Sequence, residues 1–274
     1  MHLPFHKMNG AGNDFVVVDN RKLDTNLDSE QIAWLCDRQR GVGADGLLAV
    51  EPAEKGADYK FRYYNADGGE AEMCGNGARC FGKFVARLSE PHQKTVTFET
   101  IAGVLSADIL DDSLSSDVRI AMSDPKDLEL GTSTEIDGLD FPIHSINTGV
   151  PHVVVFVDDL KNLDVVKYGA ALRNHKRFAP AGTNVNFAKV LDSQHIAIRT
   201  YERGVEGETL ACGTGMVACA LIHHLITDAP SPVQVDVAGG DTLEIGFQTY
   251  ETDSFCDVTL TGPADFVYNG VITL

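Results

Sequence analysis

Two of the cysteines are candidates for reactive thiols, because each comes directly before a glycine-rich turn. Cys74 opens the motif Cys-Gly-Asn-Gly and Cys212 opens the motif Cys-Gly-Thr-Gly, and an apolar run follows each of them. After Cys74 the apolar residues recur at the spacing of one buried helical face. Each thiol is therefore expected at a helix N-terminus, where unpaired backbone N–H groups lower the pKa of a thiol and favour the reactive thiolate.

The two cysteine motifs belong to an internal duplication. Cys74 and Cys212 are 138 positions apart, and the same offset aligns residues 15–18 with residues 153–156. Each half then contributes one thiol at one helix N-terminus, and a two-fold relation between the halves would direct both thiols into the cleft between them.

The elements that would position the thiols follow the same order in both halves. In the first half the patterns predict a helix over 29–38, which Ser29 can cap, and a helix starting near Cys74. The strands predicted there cover 15–18, 47–50, 59–64, 95–100, 103–109 and 117–122. In the second half helices are predicted over 163–175 and after Cys212, with strands over 152–157, 184–190, 195–201, 233–238, 241–247, 255–260 and, beyond a turn at Gly262 and Pro263, 266–272.

This order predicts an α/β protein of the α+β type with two pseudo-symmetric domains. Each domain is expected to be a mixed, mostly antiparallel sheet or barrel wrapped around a central helix. The last strand is expected to return to the first half, so the domains are predicted to cover 1–118 with 263–274, and 119–262. A chain of 274 residues with 43% hydrophobic residues is long enough for two such cores.

Composition excludes several classes of function. The net charge of −18 argues against nucleic acid or an anionic membrane as a partner, because both need a basic face. No apolar run approaches the ~18 residues of a membrane span, and the first residues lack the apolar core of a signal peptide, so a cytoplasmic location is expected. The six cysteines are too sparse for a disulfide scaffold. The two cysteines of each predicted central helix are too far apart to coordinate one zinc ion, so no metal is expected.

The remaining four cysteines have structural interpretations. Cys80 and Cys219 follow the two motif cysteines by six and seven residues, inside the same apolar runs, and are predicted to be core residues. Cys36 and Cys256 fall in an amphipathic helix and a strand, where a buried inert thiol is the expected interpretation.

A set of polar residues lies at strand ends and helix starts beside glycines, where no core needs them. The members are Asn13, Asn65, Asn76, Asn184, Glu202, Arg203 and Thr214. Singly, each is equally well explained as a cap or turn residue. Together they suggest a site for a zwitterion, in which Arg203 holds a carboxylate, the amides and Glu202 hold an ammonium, and the helix N-termini bind the reacting carboxylate.

These residues resemble the diaminopimelate epimerase family. The resemblance rests on Asn-Gly-Ala-Gly-Asn-Asp-Phe at 9–15, on 74–80, and on Glu-Arg-Gly at 202–204 with Ala-Cys-Gly-Thr-Gly at 211–215, and it covers the whole chain. It implies a cofactor-independent enzyme, commonly a homodimer, that interconverts LL- and meso-diaminopimelate for lysine and peptidoglycan synthesis. No nucleic-acid or membrane partner is implied.

The resemblance also implies roles for individual positions. Cys74 and Cys212 match the two catalytic thiols. The positions that match substrate contacts are Asn13, Asn65, Asn184, Glu202 and Arg203, and those that match holders of the reacting carboxylate are Gly75, Asn76, Gly213 and Thr214. Gly46 and Val150 depart from the family, because glutamine and asparagine are frequent there; the departures bear on recognition of the distal end of the substrate.

The chemistry fits these assignments without a cofactor. With no lysine-bearing cofactor motif to delocalise a carbanion, its charge must fall on the substrate carboxylate, where preorganised N–H donors stabilise it. His152 and Glu202 are candidate partners that take up the thiol protons, although a capping or ion-pair role explains each equally well. Two alternatives stay open: another isomerase on the same scaffold, of the proline-racemase kind, and a non-catalytic thiol redox or metal-binding protein.

Overall fold

The computed structural model describes residues 1–71, 73–133, 136, 141–251 and 253–274. The chain folds into two compact units. The first unit comprises Met1–Ala121 with Gly262–Leu274, and the second unit comprises Met122–Thr261.

The first unit holds two helices within its described residues, α1 (Ser29–Cys36) and α2 (Gly75–Ala86). Its strands are β1 (His2–Gly10), β2 (Asn13–Asp19), β3 (Gly46–Pro52), β4 (Tyr59–Asn65), β5 (Glu70–Ala71), β6 (Thr95–Thr100), β7 (Gly103–Ile109) and β8 (Ser115–Ala121).

The second unit repeats this inventory with helices α3 (Val165–Arg173) and α4 (Gly213–Thr227) and a short 3₁₀ helix at Lys176–Phe178. Its strands are β9 (Lys126–Thr132), β10 (Ile143–Asn147), β11 (Pro151–Phe156), β12 (Asn184–Asp192), β13 (His195–Glu202), β14 (Gly207–Thr209), β15 (Val233–Asp236) and β16 (Thr242–Glu251). A long strand, β17 (Ser254–Thr273), begins in the second unit and ends in the first.

In the first unit eight strands form a closed circuit. Strand β1 pairs with β17 and β2, the pairing continues through β3, β4, β6, β7 and β8, and β8 pairs with β17. The pairs β2–β3 and β4–β6 are parallel and the neighbouring pairs just named are antiparallel where their register is defined. Each parallel pair encloses a helix in sequence, because parallel neighbours need a crossover connection.

The second unit has the same alternation of pairings. Strands β9, β10, β11, β12, β13, β15, β16 and β17 follow one another, with β11–β12 and β13–β15 parallel and the others antiparallel. Helix α3 lies between β11 and β12, and α4 between β13 and β15, as α1 and α2 lie in the first unit. The predicted α+β class with two related halves is therefore confirmed.

The helices that follow the cysteine motifs are the central helices of their units. Helix α2 packs against β1–β4 and β6–β8, and α4 packs against β10–β13, β15 and β16. Phe81 on α2 is fully buried, with its ring edge-on to Phe61 at 4.9 Å and 5.0 Å from Phe98. Burial of one such side chain stabilises the fold by about 2–3 kcal/mol, which ties α2 to the strands around it.

Local details differ from the predictions at one helix cap, at the ends of two helices and in several strands. Asp28, not Ser29, caps α1: its side chain accepts from the Gln31 backbone N–H in a capping box. Helix α1 ends at Cys36, before the predicted end at 38, and α3 covers Val165–Arg173 rather than the predicted 163–175. The predicted strands do not include β1, β5, β9, β10 and β14, and β17 replaces two predicted strands and a turn. Pro263 is tolerated inside β17, where its carbonyl accepts from the Arg79 side chain at 3.3 Å.

Among the described residues, no helix combines the length and the apolar character that crossing a membrane requires.

Candidate active site

In the first unit, Cys74 lies at the start of the central helix. It is the N-cap residue of α2, with extended backbone angles (φ −137°, ψ 122°), and the helix begins at Gly75. The first-turn N–H groups of a helix have no partner within it, so they can bind an anion beside the thiol. Gly10 on β1 allows this close arrangement, because a Cβ at Gly10 would lie 2.9 Å from the Asn76 carbonyl oxygen.

The Asn13 side chain faces the Cys74 thiol in one defined orientation. Its Nδ2 donates to Asp45 Oδ2 at 2.6 Å, and its Oδ1 lies 3.5 Å from Cys74 Sγ and 3.4 Å from Asn76 Nδ2. The orientation of Asn76 is fixed in turn by Arg79, whose Nη2 donates to Asn76 Oδ1 at 3.0 Å. Because a carboxylate only accepts and a guanidinium only donates, the amide oxygen of Asn13 is the atom presented to Cys74.

A network of ion pairs stabilises this arrangement of Asn13 and Asp45. Asp14 forms ion pairs with Lys7 at 2.7 Å and with Arg38 at 2.8 Å, and Arg38 also binds Asp45. Burial raises the pKa of Asp14, but hydrogen bonds and charges from Arg38 and Lys7 outweigh it and hold the pKa well below its usual range. Lys7 also donates to the Gly43 carbonyl. The network fixes the loop that carries Asp45 against β2.

We expect Asp14→Asn to destabilise the protein by about 3 kcal/mol at pH 7, because it leaves the buried Lys7 ammonium without its carboxylate. A carboxyl whose pKa is lowered by folding stabilises the native state above its unfolded pKa, and this contribution is lost as pH falls. The variant should therefore lose less stability than the parent between about pH 4 and pH 2, as measured by urea unfolding.

Asp19→Asn is the matched control, because both side chains of the Asp19–Arg21 ion pair are more than one third exposed. Its expected cost is below about 1 kcal/mol. Equal costs for the two variants would contradict the buried role of Asp14.

Asn65 lies at the end of β4, where its backbone N–H donates to the Gly69 carbonyl at 2.9 Å. The Tyr63 hydroxyl donates to Asn65 Oδ1 at 2.8 Å. That bond occupies the amide oxygen and leaves the NH₂ end as the group that Asn65 can offer to a ligand. Gly46 pairs with Asn65 across β3 and β4, and a Cβ there would lie 2.5 Å from the Tyr64 carbonyl oxygen, so a larger side chain would force this strand pair to shift.

In the second unit, Cys212 has the same place on α4. It is the N-cap residue with extended backbone (φ −123°, ψ 109°), and the helix begins at Gly213. Thr214 Oγ1 lies 3.7 Å from Cys212 Sγ and 2.8 Å from His152 Nε2. The Thr148 hydroxyl donates to the Thr214 carbonyl at 2.8 Å and so ties the first turn of α4 to the loop before β11.

Burial shifts the pKa values of His152 and Glu202 in opposite directions, and in each case it favours the neutral form of the side chain. Burial, with a smaller effect from the Arg203 charge, lowers the pKa of His152 to about 3. Burial raises the pKa of Glu202. His152 is therefore neutral near pH 7, and Glu202 is a carboxyl that binds a proton more readily than usual.

Asn184 holds backbone rather than another side chain. Its Oδ1 accepts from the Arg203 N–H at 2.8 Å, and its Nδ2 lies 3.4 Å from the Pro151 carbonyl. These bonds fix the turn that carries Arg203, whose Nη1 lies 3.4 Å from the Ala181 carbonyl. The predicted set thus falls into two groups: Asn13, Asn65, Gly75 and Asn76 with Cys74 in the first unit, and His152, Asn184, Glu202, Arg203, Gly213 and Thr214 with Cys212 in the second.

Several residues that support the two thiols were not found from the sequence. Asp45 in the first unit, and Thr148 and Asn186 in the second, make hydrogen bonds to predicted residues. Asp14 accepts from the Asp45 backbone N–H, and the Thr200 hydroxyl donates to Asn186. The sequence did carry one signal for Asp45, which ends the glycine-rich stretch before β3.

Cys80, Cys219 and Cys36 are buried, as predicted, with exposed fractions of 0%, 0% and 4%. Burial raises the pKa of Cys80 to about 12 and of Cys36 to about 11, and raises that of Cys219 well above its usual value. These thiols are therefore unreactive at neutral pH. Cys256 lies in β17 and is only partly buried.

A groove of about 1160 Å³ lies elsewhere in the first unit, with Met1, Arg21, Phe84 and Tyr268 among its walls. None of the site residues predicted from the sequence lines it. Across the described part of the chain, no cluster of three or more His, Cys, Asp or Glu side chains is arranged to hold a metal ion.

Comparison with known proteins gives consistent matches along the whole chain. The family model described as diaminopimelate epimerase matches residues 5–127 and 144–267. The chain is 41% identical to a diaminopimelate epimerase of Chlorobaculum tepidum over 269 residues, covering 97% of this chain and 100% of that protein. It is 41% identical to a diaminopimelate epimerase of Aquifex aeolicus over 278 residues, covering 98% and 97%.

Among solved structures, the chain is similar to a probable proline racemase from Agrobacterium radiobacter. The TM-score is 0.72, with 19% identity, over 99% of this chain and 93% of that one. At this level of identity the likeness shows the fold alone, and it agrees with the paired units described above.

Proposed function

The chain belongs to the diaminopimelate epimerase family and is an isomerase, and we propose that Cys74 and Cys212 are the acid and base with which it interconverts LL- and meso-diaminopimelate. The product serves lysine and peptidoglycan precursor synthesis, and the proposed route uses no bound cofactor. Membership of an isomerase family decides against the alternative of a non-catalytic thiol protein.

The observation that carries the proposal is that α2 and α4, the central helices of two related units, each begin directly after a cysteine. A carboxylate bound by first-turn N–H groups would lie beside each thiol. We assign this binding to the backbone N–H groups of Gly75 and Asn76 in one unit and of Gly213 and Thr214 in the other.

The proposed reaction conserves its protons. One cysteine thiolate removes the α-proton and becomes a thiol, and the other cysteine thiol delivers a proton to the opposite face and becomes a thiolate. The carbanion that forms in between places negative charge on its carboxylate, where N–H donors that are already oriented stabilise it without reorganisation. A single group could not readily serve both faces of one carbon, which is the physical reason for two thiols.

The two candidate proton acceptors have different proposed roles. Glu202 suits a group that takes up a thiol proton, because burial raises its pKa. His152 is neutral and reaches Cys212 through the Thr214 hydroxyl, so we propose that it acts on the thiol by hydrogen bonding.

The remaining predicted residues would bind the rest of the zwitterion. Arg203 can hold a carboxylate bidentately, and the amides of Asn13, Asn65 and Asn184 with the Glu202 carboxylate can bind the remaining polar groups. The support for Asn65 is its orientation, because Tyr63 occupies its oxygen and leaves its NH₂ end for a carboxylate.

We further propose that the protein is a cytoplasmic homodimer. The resemblance to the family implies the dimer, and the first unit offers exposed apolar side chains that a second copy could cover. Val267 and Val271 on β17 are 56% and 64% exposed.

The proposal is tested by the fate of the substrate proton. In heavy water, LL-diaminopimelate should gain one solvent deuteron at the inverted centre in the first turnover, because the thiol that reprotonates the carbon has exchanged with solvent. Mass spectrometry and ¹H NMR of the product measure the label, and the centre that is not inverted is the internal control. Inversion with full retention of the substrate proton would mean that one base serves both faces, contrary to the proposal.

A further inference from the structure

A series of buried, hydrogen-bonded side chains lies in the second unit, and its contacts determine which groups donate and which accept. It runs from Thr200 through Asn186, His152 and Thr214 to Cys212. Asn186 on β12 and His152 on β11 are 0% and 1% exposed, so water does not replace their partners. The reaction described above gives Asn186 no function.

The amide of Asn186 can be oriented in only one way. Its Nδ2 donates to the Val153 carbonyl at 3.0 Å, and its Oδ1 accepts from the Thr200 hydroxyl at 2.9 Å. A backbone carbonyl cannot donate, so the end of the amide that faces it must be the NH₂ group. The second hydrogen of this NH₂ group points to His152 Nδ1, which lies 3.1 Å away.

This contact selects the tautomer of His152. Nδ1 must accept, so it carries no proton, and the single proton of the neutral ring lies on Nε2. Burial and the Arg203 charge keep the ring neutral by lowering its pKa to about 3. Nε2–H then donates to Thr214 Oγ1 at 2.8 Å, so the Thr214 hydroxyl hydrogen does not point at the ring. Cys212 Sγ lies 3.7 Å from Thr214 Oγ1, and by distance either atom can donate in that contact.

We propose that Asn186 is a positioning residue: it holds His152 as the Nε2–H tautomer, so that the Thr214 hydroxyl donates its hydrogen to the sulfur of Cys212. A sulfur that accepts a hydrogen bond is stabilised as the thiolate, which is the form needed to remove a proton. The inference rests on the proposed role of Cys212 for its consequence in catalysis, whereas the tautomer itself does not depend on it.

Helix α4 is fitted to this amide. A Cβ on Gly215 would lie 2.4 Å from Asn186 Oδ1 and 3.3 Å from Cys212 Sγ, so the glycine allows the first turn of α4 to lie directly on Asn186. Among the described residues, Arg203 is the charged group that lowers the pKa of the His152 ring, and the Cys212 thiol is the titratable group at the other end of this series of hydrogen bonds. The side chains of Asn186, Thr200 and Thr214 are neutral.

Asn186→Asp is the decisive variant, because it keeps the size of the side chain and reverses what faces the ring. The carboxylate still accepts from Thr200 but loses the hydrogen bond to the Val153 carbonyl, because both groups only accept. It now requires a proton on His152 Nδ1 and raises the pKa of the ring by its charge. Above that pKa the neutral ring carries its proton on Nδ1, so Nε2 accepts from Thr214 and the Thr214 hydrogen is withdrawn from Cys212.

The ¹⁵N NMR spectrum of enzyme labelled at histidine shows the tautomer of His152 directly, and kcat of epimerisation measures the effect of the tautomer on catalysis. We expect the Nε2–H form in the parent from pH 6 to 9 and the Nδ1-protonated form in Asn186→Asp. The variant should lose about 10-fold in kcat at pH 8 with little change in KM, because the Cys212 thiolate loses one hydrogen bond. Part of the loss should be recovered as pH is lowered and the ring becomes doubly protonated.

Thr200→Val is the matched control, because it removes one buried hydrogen bond of Asn186 and leaves Nδ2 held by the Val153 carbonyl. It should keep the Nε2–H tautomer and most of kcat. An Nδ1–H tautomer in the parent enzyme would overturn the proposal even if Asn186→Asp did not fold, and so would an unchanged kcat in a folded variant. A parent enzyme with the Nε2–H tautomer but no epimerase activity would instead refute the proposed function.

Discussion

Replacement of either Cys74 or Cys212 by Ala is expected to abolish measurable epimerisation while the protein stays folded. In the proposed mechanism each replacement removes the acid or the base on one face of the α-carbon, and proton transfer by a positioned group contributes roughly 10²–10⁴-fold to a rate. The measurement is interconversion of LL- and meso-diaminopimelate by the purified variants, with circular dichroism and thermal unfolding to establish folding. Because each cysteine caps a helix through its backbone, removal of the sulfur should leave α2 and α4 intact.

The matched controls are Cys80→Ala and Cys219→Ala, which remove buried sulfurs from the same two helices. These variants should keep most of their activity and lose about 1–2 kcal/mol of stability, as small core truncations do. Substantial epimerase activity in Cys212→Ala, or equal activity losses in all four variants, would contradict the assignment of the two catalytic thiols.

The second large effect is expected for Gly215→Ala, which should lower kcat by about 10²-fold. Its Cβ would lie 2.4 Å from Asn186 Oδ1, a distance that forces the amide or the first turn of α4 to move. Misplacement of a catalytic group by about 1 Å costs that much in rate. Alanine is a better helix former than glycine by about 1 kcal/mol, whereas overpacking costs about 1–3 kcal/mol, so the change in unfolding free energy should be smaller than the change in rate implies.

Gly77→Ala provides the comparison, because Gly77 is the counterpart of Gly215 after the first cysteine motif. A Cβ at Gly77 would lie 3.3 Å from the end of the Leu48 side chain, which can give by a few tenths of an ångström. This variant should keep activity within about threefold of the parent, since a displacement this small is far below 1 Å. Steady-state kinetics of both variants decide the matter, and a larger loss for Gly77→Ala than for Gly215→Ala would show that contact with Asn186 is not the cause.

The sequence by itself determined the features that depend on local order. The apolar spacing after Cys74 and the apolar run after Cys212 predict two helices that begin close to the cysteines, and the helices start at Gly75 and Gly213. The offset of 138 positions predicts two related halves, and the repeated order of parallel and antiparallel pairs confirms them. These features follow from neighbours along the chain, so periodicity and composition suffice to predict them.

The tertiary structure alone decided which polar side chains support the thiols. Asn184 and Asn186 lie two positions apart on β12, yet the first holds the backbone of Arg203 and the second holds the ring of His152. Asp45 likewise orients Asn13 across 32 positions of sequence. Their partners are set by the register of β12 against β11 and by the loop beside β2, and register arises from packing of whole strands rather than from any residue's neighbours. For that reason the sequence alone could indicate the two thiols, whereas the orientation of the hydrogen bonds around them required the folded chain.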